Sequence, residues 1–105
     1  MATDEQIDSL PARLRSTGRL VSSAFPQGVP EEDYRPLLTL LGESLSYRGL
    51  AEVMAHCTGK DYALVYNDVL AVGSPFGAGK PELAAIERVR KRLVPFGYDE
   101  WLKEE

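Results

Sequence analysis

A chain of 105 residues, 44% hydrophobic and 27% charged, has the size and composition of one globular domain that can close a core without metal or disulfide staples. Its formal charge of −4 is the wrong sign for general nucleic-acid binding, which draws on a basic excess, and its single cysteine, Cys57, excludes an intrachain disulfide and suits a reducing compartment. The start, Met1-Ala2-Thr3-Asp4-Glu5-Gln6, lacks the basic and apolar parts of a secretory signal, and no stretch approaches the roughly 20 apolar residues that span a bilayer, so a cytoplasmic protein is expected.

Residues 1–7 read as a frayed lead-in. From about Asp8 the pattern turns helical, with Leu10, Leu14, Val21 and Phe25 near one face and Thr17 and Gly18 as its weak point. Arg13, Arg15 and Arg19 lie mostly off that stripe. Asp8 or Ser9 can cap the helix, and Pro11 is tolerable in a first turn. Phe25-Pro26-Gln27-Gly28-Val29-Pro30 ends it. In the next segment Asp33 is the expected N-cap, which places Pro36 in the first turn, and Glu31 and Glu32 suit the positive end of the helix dipole. Leu37, Leu38, Leu40, Leu41 and Leu45 form the densest apolar block, expected to be buried on more than one side.

Ser46 opens a third helix through Cys57 or Thr58. Leu50, Val53, Met54 and Cys57 give i, i+3, i+4, i+7 spacing, and Gly59 supplies a left-handed stop. Residues 62–72 are ambiguous: a helix capped by Asp61, or two short strands around Asn67-Asp68. Helix is the preferred reading because no other segment reads as β and an isolated hairpin would lack a sheet to join. Gly73 to Lys80 is a flexible loop. Pro81 then starts the last long helix, with Leu83, Ile86, Val89 and Leu93 on its apolar face and Glu87–Lys91 as an i, i+4 pair. Pro95 and Gly97 close it, and residues 98–105 form a tail with one more helical turn at most.

The run Phe25-Pro26-Gln27-Gly28-Val29-Pro30-Glu31-Glu32-Asp33-Tyr34-Arg35-Pro36-Leu37-Leu38 resembles a small actinobacterial family catalogued as domain of unknown function 3349. That family's pattern is aromatic-Pro-x-Gly-Val-Pro-x-x-Asp-Tyr-x-Pro-Leu-Leu. Arg88-Val89-Arg90-Lys91-Arg92-Leu93 and Gly97-Tyr98 are similar to its later features, so the resemblance covers about residues 20 to 98. The loop Gly73 to Lys80 is richer in glycine than the family pattern. The resemblance implies a compact bundle of short helices and no particular activity. The motif itself reads as architecture: Pro26, Gly28 and Pro30 fix a turn, Asp33 caps, and Tyr34 packs against the turn.

Reactive constellations fail one by one. Gly79-Lys80 before a helix suggests a phosphate loop, but the first glycine position holds Ser74 and the metal-binding hydroxyl position holds Pro81. His56 and Cys57 are helix neighbours about 100° apart, so they do not pair as base and nucleophile, and one His with one Cys falls short of a zinc site. Glu31, Glu32, Asp33, Asp99, Glu100, Glu104 and Glu105 sit near helix ends or the tail, as dipole complements. Arg88, Arg90, Lys91 and Arg92 form a local basic cluster, read as a solvated helix face. Residues 62–72, in the place of a reading helix after Gly59, contain no Lys, Arg or Gln, and only Asn67 suits a base edge. Among Tyr34, Tyr47, Tyr62, Tyr66, Tyr98 and Trp101, several cannot all fit a core this small, and exposed aromatics are enriched where proteins meet.

These observations predict an all-α fold, a compact orthogonal bundle of about five short helices in a single domain over residues 1–105. The expected role is a non-catalytic interaction or accessory protein with a protein partner or a homo-oligomeric state. No catalytic residues, cofactor or metal site are expected. The alternatives are a nucleic-acid-associated regulator using Arg88, Arg90, Lys91 and Arg92, and an enzyme with a site assembled from carboxylates and tyrosines.

Overall fold

The computed structural model describes residues 10–73 and 81–104. Within them proline and glycine divide the chain into six α-helices: α1 (Ala12–Ala24), α2 (Glu31–Gly42), α3 (Tyr47–Thr58), α4 (Tyr62–Gly73), α5 (Leu83–Leu93) and α6 (Tyr98–Lys103). A 3₁₀ turn, Val94–Phe96, joins the last two. No strand occurs among the described residues, so the all-α reading holds, and 62–72 is helix rather than hairpin. No helix among them is long and apolar enough to cross a membrane.

Local chemistry sets most of the boundaries. Ser46 Oγ accepts the Gly49 N–H at 3.1 Å, which satisfies one orphan donor at the start of α3. Gly59 (φ +75°) ends α3 in the left-handed conformation, with its N–H on the Ala55 carbonyl, and Gly97 (φ +99°) does the same after the 3₁₀ turn. Pro11 is the N-cap of α1, and Asp8 and Ser9, the caps expected there, lie outside the described residues.

Helix α2 occupies the middle of the bundle, packed on α3, α4 and α5, while α1 packs on α3, α5 and α6. That position explains the leucine block: Leu37, Leu38, Leu40 and Leu41 span a wide arc of α2, and all are buried. They join Leu14, Val21 and Phe25 of the first segment, Leu50, Val53 and Met54 of α3, and Val89 and Leu93 of α5 in one core. Each such side chain contributes on the order of 1.5–3 kcal/mol by leaving water.

Several boundaries and partners differ from the sequence reading. Asp33 is not the N-cap of α2. Pro30 takes that position, the helix begins at Glu31, and Pro36 therefore lies inside the helix rather than in its first turn. Pro81 lies outside α5, whose N-cap is Glu82, and Leu83 at its start is exposed rather than on the buried face. Glu87 pairs with Arg90 rather than Lys91, because the guanidinium fork reaches both carboxylate oxygens at i, i+3 (2.7 Å at the shorter contact). The terminal segment read as a tail is α6. Its Tyr98 and Trp101 are buried, and Trp101 Nε1 donates to Thr17 Oγ1 at 2.8 Å. Thr17, read as the weak point of the first helix, is therefore the polar contact that locks the last helix onto it.

Candidate functional site

The Asp-Tyr pair of the early motif is the centre of two polar networks. Arg88, on α5, reaches Asp33 Oδ1 with Nη2 at 2.7 Å and Nε at 3.1 Å. The same Nη2 donates to the Glu32 carbonyl at 3.2 Å. That carbonyl would normally take the N–H of residue 36, and proline has none. Tyr34 projects the other way. Its ring is buried, its hydroxyl donates to Asp68 Oδ2 on α4 at 2.8 Å, and Lys60 Nζ lies 4.0 Å from the ring centroid while also pairing with Glu31 at 2.7 Å. Burial first, and then the Asp68 hydrogen bond, push the Tyr34 phenol well above its ordinary range. Tyr34 thus packs against α4 and Lys60 rather than against the preceding turn. Both networks tie α2 to its neighbours, and Glu31 and Lys60 of the second also line an open depression of about 470 Å³ with Gly28, Pro30 and Thr58.

The other candidates are also accounted for by their surroundings. Cys57 is buried, and desolvation raises its thiol to about 11, against a smaller opposing effect of a hydrogen bond with Ser22. A thiol held in that state is a poor nucleophile and a poor metal ligand. His56 is exposed, with Nδ1 3.3 Å from the Glu52 carbonyl. No group of His, Cys, Asp and Glu among the described residues could hold a metal ion. Residues 74–80 of the glycine-rich loop lie outside the described residues. In the basic cluster, Arg88 is held by Asp33, Arg90 by Glu87, and Arg92 donates to the Ala24 carbonyl at 2.8 Å with its guanidinium over the Phe25 ring. Arg88, Lys91 and Arg92 are nevertheless exposed. A wider polar depression of about 590 Å³ is lined by Arg13, Arg15, Ser16, Arg19 and Trp101, but Glu104 sits among those guanidiniums and Arg15 donates to the Leu10 carbonyl.

Helix α4 differs from the rest. Its sequence, Tyr62 to Gly73, is apolar on nearly every side, yet only Val65, Val69 and Val72 are buried. Its inner face packs on α3 and α2. Its outer face carries Ala63, Leu64, Asn67 and Leu70, all exposed, with Leu64 at 61%, and Ala71 at the margin. Asp68, the one charged residue in the helix, is directed to Tyr34 and lies 3.6 Å from Arg35. Tyr62 and Tyr66 stack with ring centroids 6.0 Å apart along one flank. Beside the end of α4 lies a cleft of about 220 Å³ lined mainly by Leu38, Gly42, Tyr47, Leu50, Val69 and Val72. Half-exposed Tyr47 reaches across it to Gly73, where an added Cβ would stand 2.7 Å from the Tyr47 hydroxyl. Of the six aromatics weighed from the sequence, Tyr34, Tyr98 and Trp101 are core, while Tyr47 and Tyr62 are exposed. The outer stripe of α4 escaped the sequence reading. Its signal was present in the same feature that made 62–72 ambiguous, an apolar segment without a polar side.

A family model described as Protein of unknown function (DUF3349) matches residues 13–101, from the start of α1 to Trp101. No curated protein and no solved structure matches the chain.

Proposed function

This chain belongs to that family of proteins of unknown function, and for it we propose the role of a helical interaction protein in the cytoplasm, without catalysis of its own, that docks a partner on the outer face of α4. One observation carries the reading: a surface helix exposes Leu64 and Leu70 on a side free of charge, where a solvated helix normally carries Lys, Glu or Arg. Core packing does not require those side chains, because Val65, Val69 and Val72 already fill the inner side. Against the nucleic-acid alternative stand the acidic balance of the chain and the internal contacts of Arg88, Arg90 and Arg92, with Lys91 the remaining cation of that cluster.

The test compares companions recovered under native conditions with the wild-type chain and with a Leu64→Lys/Leu70→Lys variant. A stoichiometric companion, this chain or another, is expected with the wild type and absent with the variant, while both melt within a few degrees of each other. Identical companions with both would sink the reading.

A further inference from the structure

We infer that the depression between α1 and α6 is a binding site for a small phosphate monoester, with Arg13, Arg15 and the Ser16 hydroxyl on the phosphate and the rest of the ligand running toward Phe96. The inference is independent of the α4 face. The cations that tie the bundle together elsewhere each face a carboxylate: Arg35 and Asp68, Lys60 and Glu31, Arg88 and Asp33, Arg90 and Glu87. Helix α1 departs from that pattern. It carries Arg13, Arg15 and Arg19 and no Asp or Glu, in a chain whose formal charge is −4. All three arginines line one depression of about 590 Å³ with Ser16, and among the described residues Glu104 is the one carboxylate of that lining.

The arrangement is unfavourable to the free chain and suits an anion. Arg15 and Arg19 are like charges one turn apart, and Arg13 stands at the positive end of the helix, where a cation is disfavoured. A bound anion reverses both effects. Steps of three and four residues place Ser16 beside Arg13 and Arg19, and Arg15 beside Arg19, so the long side chains gather around the Ser16 hydroxyl. Arg15 donates Nε to the Leu10 carbonyl at 3.0 Å, which fixes the plane of its guanidinium and leaves both Nη atoms to donate. Arg13 is exposed, whereas Arg19 keeps a contact of its own within the chain, so Arg13 and Arg15 carry the phosphate.

Size defines the rest of the ligand. The depression exceeds what a phosphate ion fills. A second one, of about 220 Å³, shares Ser16, Arg19, Trp101 and Glu104 with it and ends on Phe96, whose side chain is half exposed. A ligand occupying both has a phosphate at one end and an apolar or aromatic group at the other. The net charge of the chain disfavours a long polyanion, while a small one feels the local charge within a Debye length of about 10 Å at 0.1 M salt.

Amide chemical-shift titrations of the full chain at constant ionic strength test this, with inorganic phosphate, phenyl phosphate and a short single-stranded oligonucleotide as probes. Saturable shifts confined to α1, the 3₁₀ turn and α6 are expected with phenyl phosphate, and weaker binding of inorganic phosphate at the same place. Arg13→Gln/Arg15→Gln should weaken phenyl phosphate by about tenfold or more through lost charge-assisted hydrogen bonds, and Arg48→Gln/Lys91→Gln, which removes equal charge elsewhere, by less than about twofold. Arg13→Gln alone, which leaves the Arg15 tie to Leu10 intact, should weaken it by about threefold or more. Phe96→Ala should bring phenyl phosphate down to the affinity of inorganic phosphate. Shifts that do not saturate, or equal effects of the two double variants, overturn the site. Equal affinity for the two phosphates in the wild type overturns the extension to Phe96, and an oligonucleotide bound more tightly than phenyl phosphate overturns a small ligand.

Discussion

Arg88 stands in for the backbone donor that Pro36 lacks: its Nη2 bonds the Glu32 carbonyl at 3.2 Å, the acceptor that the N–H of residue 36 would otherwise occupy. The same guanidinium grips Asp33 one residue on, at 2.7 Å. A proline within α2 is therefore tolerated through a residue on α5, and the two segments that carry the family resemblance complete each other's bonding.

The first prediction concerns this tie. Arg88→Ala leaves the Asp33 carboxylate buried without its partner and costs about 1–2 kcal/mol, moderated because the Arg88 side chain is half exposed. Pro36→Ala restores the intrahelical donor to Glu32. In that background Arg88→Ala should cost less, with a coupling of about 0.5–1 kcal/mol in a urea-denaturation double-mutant cycle. Strict additivity would show that Arg88 does not substitute for the missing N–H.

Tyr34→Phe removes the hydroxyl from Asp68 and should cost about 1–2 kcal/mol at neutral pH. Its effect also depends on pH. The folded-state pKa of Tyr34 lies above the unfolded value of about 10. The stabilisation tied to that shift is complete below pH ~10 and is lost as pH rises further, because the unfolded phenol ionises first. Stability measured from pH 8 upward should fall more steeply for wild type than for Tyr34→Phe above pH ~10. Tyr98, raised mainly by burial, leaves a residual slope in the variant. Parallel curves would remove Tyr34 from the account.

Cys57 should be inert to a thiol reagent at neutral pH while the chain is folded, since its thiol is both buried and raised to about 11. Labelling should follow the unfolded fraction through a urea titration. Labelling of the native chain at the rate of the unfolded one would contradict the packing of α3 against α1.

The buried Trp101–Thr17 bond sets the importance of α6. Thr17→Val leaves an indole N–H without a partner and should cost about 1–3 kcal/mol. Trp101→Ala should cost about 3–5 kcal/mol, as for other large aromatic truncations in cores. The Thr17→Val/Trp101→Phe pair, which removes donor and acceptor together, should cost less than the sum of its single changes. Equilibrium unfolding followed by circular dichroism measures these variants and the Trp101→Phe single change, and a negligible loss for Trp101→Ala would show that α6 is dispensable.

The sequence alone determined the all-helical fold, the boundaries that rest on local chemistry and the inward stripe of α3. Ser46, Gly59 and Gly97 act through hydrogen bonds and dihedral angles that span a few residues, and the spacing of Leu50, Val53, Met54 and Cys57 is a property of one helix. What it could not reach was the identity of distant partners. Asp33 has the side chain of an N-cap, but Arg88, 55 residues later, holds it two residues inside the helix. Trp101 looks like part of a solvated tail until Thr17, 84 residues earlier, is placed beneath it. The exposed side of α4 is defined only once α2 and α3 have covered the other. Local rules are written along the chain, whereas these outcomes depend on which helices pack together, and only the closed bundle decides that.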